Sequence, residues 1–188
     1  MITRWRIFGA GGLSLAVAAV IVACAASPDT TEVTQIYTTG NAYTDFAGGV
    51  GSDGKVHSGV IGFVAHTCGT LDCHGEIGRP FRLFSRDGLR LVDEAGDIPG
   101  GSPTTEAEIL ADYTSAISVQ PELTSKVFYG LEDPHVLLLL RKPLGLERHK
   151  GGTVISGGSN GDLCLSSWLT DGTGPLNQNA CDQAALQP

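Results

Sequence analysis

Two thiols and an imidazole stand close together in "HTCGTLDCHG", residues 66–75: Cys68, then Cys73 five positions on, then His74 directly after it. Three kinds of chemistry fit such a group. Paired thiols can bond to two vinyl groups on one edge of a porphyrin, with the following histidine rising to the iron. The signature of that attachment is C-x-x-C-H; here the spacer is four residues, so the two extra residues must bulge outwards, with Gly69 supplying freedom. Cys68 and Cys73 could instead close a disulfide over a short loop, which removes little unfolded-state entropy and stabilises modestly. The third arrangement is zinc held by His66, Cys68, Cys73 and His74. A tetrahedral site would then need the adjacent Cys73 and His74 both to turn inwards.

A haem iron needs a second axial group. Met1 is the only methionine, so the expected distal ligand is His149 in "ERHKGG", with an open sixth site as the alternative. His66 lies too near the motif in sequence to reach the opposite face. Two imidazoles set a lower potential than methionine and histidine, because methionine raises it. Arg79, Arg82, Arg86 and Arg90 crowd four positive charges into twelve residues. One or two of them could neutralise haem propionates; a solvated face is the plainer reading of each.

The elements that must position these residues read as mainly α-helical. In "KVHSGVIGFVAHTC", Val60, Ile61, Val64 and Cys68 share one helical face leading into the motif, with Gly59 and Gly62 weakening it. "GRPFRLFSRDGLRL" alternates like a small edge hairpin about Ser85–Gly88, limited by Pro80. "SPTTEAEILADYTSAIS" is the clearest helix, with a Thr105/Glu108 capping box and a stripe of Ile109, Tyr113, Ala116 and Ile117. Pro121 can open a short helix through Val127. Asp133 and Pro134 can start another, which Pro143 stops. Leu165, Trp168 and Leu169 share a face of a helix ended by Gly172. Trp168 is expected in the core, or against a porphyrin edge. His57 and His135 read as surface residues, and the tail from residue 176 as loose except for Cys181.

The start of the chain has a different character. "MITRWR" followed by "GLSLAVAAVIVA" has the basic and then apolar layout of a secretory signal. An uncleaved spanning helix over residues 7–25 is the alternative. "IVAC" at 21–24 resembles the lipobox of bacterial lipoproteins. That resemblance implies cleavage before Cys24, lipidation of Cys24, and a membrane anchor without a spanning helix. The expected domains are a signal peptide over 1–23, a flexible tether rich in Thr, Gly, Ser and Asp over 24–54, a compact domain over 55–175, and a tail over 176–188.

Four cysteines then remain beyond Cys24, an even number suited to export; Cys164 and Cys181 are expected to pair. The formal charge of −8 becomes −10 without Arg4 and Arg6, which excludes a phosphate-backbone ligand such as nucleic acid and favours a basic partner through steering. No enzyme is expected. Ser156, Ser159 and Ser166 lack a G-x-S-x-G setting. The glycine-rich stretch 151–161 lacks the Lys and Ser/Thr of a phosphate loop.

Further stretches, taken in order with the motif, resemble the cytochrome c-like domains of planctomycete and myxobacterial envelope proteins. They are "GLRLVDEAGDIPGGSP" (88–103), "LLLLRKPLGLERHKGG" (137–152) and "LCLSSWLTDG" (163–172). The likeness covers roughly residues 57–173. It implies a small helical cytochrome c-like domain with a short β-hairpin, haem c on Cys68 and Cys73, His74 as proximal ligand, and electron transfer with other redox proteins. The expected location is the bacterial cell envelope, lipid-anchored, more on the outer than the inner membrane. The competing expectation is a haem-free, disulfide-stapled surface lipoprotein with a binding or structural role.

Overall fold

The computed structural model describes residues 38, 40–92, 101–171 and 173–186. The expected signal peptide, Cys24, residues 25–37 and 39 of the tether, residues 93–100 and Gly172 lie outside these residues. The described residues fall within one unit, Thr34–Pro188, which is mainly helical with one two-stranded antiparallel hairpin. In chain order it contains α1 (Ala42–Ala47), β1 (Gly49–Val50), β2 (Val56–His57), α2 (Gly59–Thr67), α3 (Glu106–Ile117) and α4 (Pro121–Phe128). A 3-10 turn follows (Pro134–Val136), then α5 (Leu138–Arg141), α6 (Asn160–Leu169) and α7 (Gln178–Ala185). None of the described helices is long and apolar enough to cross a membrane.

The core forms around α6. Trp168 is fully buried, its indole N–H donating to the Ala42 carbonyl at 2.8 Å. Its ring packs against Phe46 of α1 and Phe128 of α4, with centroids 5.1 and 5.6 Å away. An aromatic side chain so enclosed contributes about 3–5 kcal/mol relative to alanine. Trp168 is therefore core, as the helical stripe predicts. On α2, Val60, Ile61 and Val64 of the predicted face are buried, together with Phe63, while Cys68 is half-buried. Gly59 opens the helix at φ +62°, and a side chain there would collide with the backbone of Phe46 and Gly48. Glycine is what lets α1 and α2 cross so closely.

α3 starts where its sequence indicates. Thr105 accepts from the Glu108 N–H while the Glu108 carboxylate accepts from the Thr105 N–H, a full capping box. Tyr113 and Ala116 are buried, and Ile109 and Ile117 pack against the core. α4 begins at Pro121, and Asp133 caps the 3-10 turn by accepting from the His135 N–H.

Several expectations are corrected. The compact unit does not begin at Lys55: α1, from the stretch assigned to the tether, places Ala42 and Phe46 in the core with no exposure. The hairpin is not at 81–91 but at 49–57, where Gly49 pairs with His57 and Val50 with Val56. At 81–91 only the turn forms, Gly88 N–H donating to Ser85 and Ser85 N–H to Leu89. The tail is not loose. α7 buries Ala180, Cys181 and Ala184, and Cys181 forms a disulfide with Cys164, seventeen residues earlier.

Neither histidine read as a surface residue is free in solvent. His57 bonds Asp182 of α7 at 2.8 Å and Asp53 at 3.1 Å. His135 lies between Asp133 and Asp162.

Candidate functional site

The motif begins where α2 stops. Cys68 caps α2, its N–H donating to the Val64 carbonyl at 2.9 Å. The chain then folds back on itself: Cys73 and Gly75 N–H groups donate to the Thr70 carbonyl, and His74 N–H to the Cys68 carbonyl at 2.9 Å. That last bond closes the four-residue spacer, bringing His74 back beside Cys68. Leu71 and Asp72 are exposed, the outward bulge the long spacer requires.

The Gly69 carbonyl is the knot of this loop. It accepts from the Ser85 hydroxyl at 2.7 Å. Gly75 and Gly88 approach it so closely that a side chain at either would strike it. This gives a packing reason for the glycine of "CHG" and for the glycine of the Asp87-Gly88 turn.

Residues 81–85 form a two-sided bridge. On one side, Leu83 N–H donates to the His74 carbonyl at 2.9 Å, and His74 Nδ1 bonds the Phe81 carbonyl at 2.8 Å. On the other, Arg82 N–H donates to the Ser115 hydroxyl and Phe84 N–H to Asp112 Oδ1 at 2.7 Å, both on α3. Asp112 and Glu108 are fully buried; the sequence shows Glu108 in the capping box but neither its hold on Arg90 and Leu91 nor the role of Asp112. Burial alone would raise the Glu108 carboxyl. The Arg90 guanidinium and the N–H groups of Thr105 and Leu91 hold it down at about 2 instead. Burial pushes Asp112 up to about 8, against the Phe84 N–H bond and with the help of the Glu108 charge. The signal available was Glu108 and Asp112 at i, i+4 beside the apolar stripe of α3.

His74 and His149 come together. Their ring centroids are 6.1 Å apart and their planes 11° from parallel. A carbonyl oxygen can only accept, so the Phe81 contact places the His74 proton on Nδ1 and leaves Nε2 with its lone pair. His149 Nδ1 meets the Gly152 carbonyl at 2.9 Å in the same way. Metal-binding histidines characteristically donate their second ring N–H to such an oxygen. Burial lowers the pKa of His74 against the Phe81 bond, and the neighbouring His149, Arg79 and Lys142 lower it further.

Cys68 and Cys73 are both free thiols; the short disulfide between them is not formed. Burial, and then the neighbouring Cys73, push the Cys68 thiol up to about 12. His66 is exposed, and among the described residues no three His, Cys, Asp or Glu side chains converge for a metal ion. The zinc arrangement is not assembled.

The four arginines separate. Arg90 is committed to Glu108, at 2.9 and 2.8 Å, and to the Ser102 carbonyl. Arg82 lies over the Phe84 ring, 5.6 Å from its centroid, and Arg86 lies 3.7 Å from Asp87. Of the four, Arg79 alone acts on His74, lowering its pKa; it pairs with Glu76 at 2.9 Å and keeps a buried Nε without a partner. A cleft of about 230 Å³ between Ile61, Ala65, His66, Ser85 and Ile109 is lined by none of the four candidate ligand residues.

The donor chemistry suits a covalently held haem in two free thiols with an imidazole beside them; the second imidazole, His149, is stacked on the first. Comparison of the chain with models of known protein families, with curated proteins and with solved structures finds nothing that matches.

Proposed function

We propose that the domain holds one c-type haem and passes single electrons in the bacterial envelope, anchored through a lipid on Cys24. Cys68 and Cys73 would carry the thioether bonds, and His74 and His149 would hold the iron. Bound haem supplies a one-electron couple between ferrous and ferric iron. The chain's own residues orient it: the Phe81 and Gly152 carbonyls fix both imidazoles with Nε2 available.

The observation that carries this reading is the loop itself: the His74 N–H bond to the Cys68 carbonyl closes the four-residue spacer and sets the imidazole beside two free thiols, with the His149 ring neighbouring it. Bis-histidine ligation predicts a potential below that of a Met/His site. The second reading, a haem-free stapled surface lipoprotein, draws on the Cys164–Cys181 bond, which either kind of domain could use.

The test is spectroscopic. In the haem-matured chain, His149→Ala should convert a six-coordinate low-spin spectrum to a high-spin one, with the covalent haem retained. A spectrum unchanged by that substitution contradicts His149 as a ligand.

A further inference from the structure

The two helices joined by the disulfide carry the same device. Asp162 stands two residues before Cys164 on α6, and Asp182 directly after Cys181 on α7. Each carboxylate divides its oxygens between a histidine and a backbone N–H of a neighbouring segment. Asp182 Oδ2 meets His57 Nδ1 at 2.8 Å, and its Oδ1 accepts from the Ser58 N–H at 2.8 Å. Asp162 Oδ1 meets His135 Nε2 at 2.9 Å, and its Oδ2 accepts from the Gly158 N–H at 2.8 Å. The far nitrogen of each ring then meets a second carboxylate, from the histidine's own segment. His57 Nε2 lies 3.1 Å from Asp53 Oδ1, and His135 Nδ1 lies 3.0 Å from Asp133 Oδ1.

A neutral imidazole has one N–H and one lone pair, whereas an ionised carboxylate oxygen can only accept. Either ring therefore makes both contacts only as the imidazolium, with a proton on each nitrogen. The His57 side chain is 13 % exposed, so little water is at hand to replace a lost partner. Lys55, 4.0 Å from Asp53, is the other charge at the first cluster; α7 adds no titratable group besides Asp182, and α2 adds only His66 at its far end. At the second cluster α6 adds none besides Asp162, and α5 adds Arg141, which is paired with Glu147. The bonds to Asp182 and then Asp53 raise the pKa of His57 above its ordinary value. Burial alone would lower His135, but its bonds to Asp162 and Asp133 raise it instead.

We propose that His57 and His135 are a pair of proton-operated clamps, which fasten the β1–β2 hairpin to α7 and the 3-10 turn to α6 and open as pH rises. The inference needs no haem and stands apart from the electron-transfer reading. Because the folded form holds the protons more tightly, each clamp stabilises in full below the unfolded histidine value of about 6.5. That contribution is lost as pH rises through the higher folded value. Loss of the proton sets a lone pair against an acceptor, so one of the two contacts at each ring must open.

The experiment is an NMR titration of the full chain with isotope-labelled histidine side chains, run folded and in urea. His57→Gln and His135→Gln identify the two ring signals. Both folded midpoints should lie above those of the same rings in urea. The Ser58 and Gly158 amide signals should shift with the midpoint of the histidine that shares their carboxylate. Asp182→Asn should lower the His57 midpoint and leave that of His135 in place; Asp162→Asn should do the converse. Asp162 is only 8 % exposed, so where its variant fails to fold, Asp133→Asn, at a 70 % exposed side chain, makes the same test of His135.

A folded midpoint at or below its value in urea would overturn the proposal, as would one that ignores the loss of its carboxylate. Raised histidine midpoints with Ser58 and Gly158 signals that stay still would overturn it too, because the clamps would then hold their protons without opening.

Discussion

The two cysteine pairs lie in regions built on different principles. Cys164 and Cys181 are fully buried, bonded to each other, and join two helices of the apolar core around Trp168. Cys68 and Cys73 are free and partly exposed, in a stretch from 68 to 92 that contains no helix or strand beyond a single bridge. Burial and a covalent cross-link hold the first region. The second has irregular backbone, held from outside by the buried carboxylates of α3 and by the Gly69 knot. Its thiols and His74 are left for chemistry because other residues do the holding, the usual division between a rigid scaffold and a functional loop.

The contrast predicts opposite outcomes for the two pairs. Serine at both Cys68 and Cys73 should abolish covalent haem while leaving the urea midpoint of the haem-free chain nearly unchanged. The same double change at Cys164 and Cys181 should retain the haem. Intact mass and urea titration read both results.

Glu108→Ala should be the most damaging single change in the loop region. It leaves the 9 % exposed Arg90 without its fully buried partner, at a cost of about 3–5 kcal/mol by urea unfolding. Because the folded Glu108 carboxyl sits at about 2, the stability it supplies is complete above the unfolded carboxylate range. It is lost as pH falls from about 4 towards 2; a variant that keeps the acid limb of the stability curve would contradict this.

Breaking the Cys164–Cys181 bond should cost about 3 kcal/mol, the value for a loop of this length, and should act on the helical region alone.

Asp112 gives the most specific effect, with the opposite sign to Glu108. Its folded pKa of about 8 lies above the unfolded value of about 4. Stability therefore declines as pH rises between those values, where the unfolded chain has released a proton that the folded one still holds. Asp112→Asn keeps an oxygen for the Phe84 N–H and should flatten that decline. Urea midpoints at pH 5 and pH 8 measure it; an unchanged slope would mean that Asp112 is ionised in the fold.

Most of what was legible in the sequence was local. The capping box at Thr105 and Glu108, the apolar face of α2, the Pro121 start and the outward bulge at Leu71 are set by spacing and side-chain type within a few residues. What was missed depends on distant partners. α7 buries only small side chains, Ala180 and Ala184 beside Cys181, so its sequence has no apolar stripe to reveal it. α1 commits just Ala42 and Phe46 to the core from a polar stretch. The alternation at 81–85 was real but was read as a hairpin; one side bonds His74 and the other α3, which no local pattern distinguishes. His57 looked like a surface residue because Asp182, its partner, lies 125 positions away. His149 was reachable from sequence only by elimination, through the absence of any methionine after Met1, and the structure brings it beside His74.

The most direct test of the account is an intact mass and visible absorption spectrum of the full chain, expressed in a periplasm equipped for cytochrome c maturation. The account predicts the mass of one covalent haem, a reduced α-band, and loss of both when Cys68 and Cys73 are replaced by serine. A colourless protein of apo mass, with Cys68 and Cys73 still free or joined to each other, would contradict it and leave a stapled binding domain in its place.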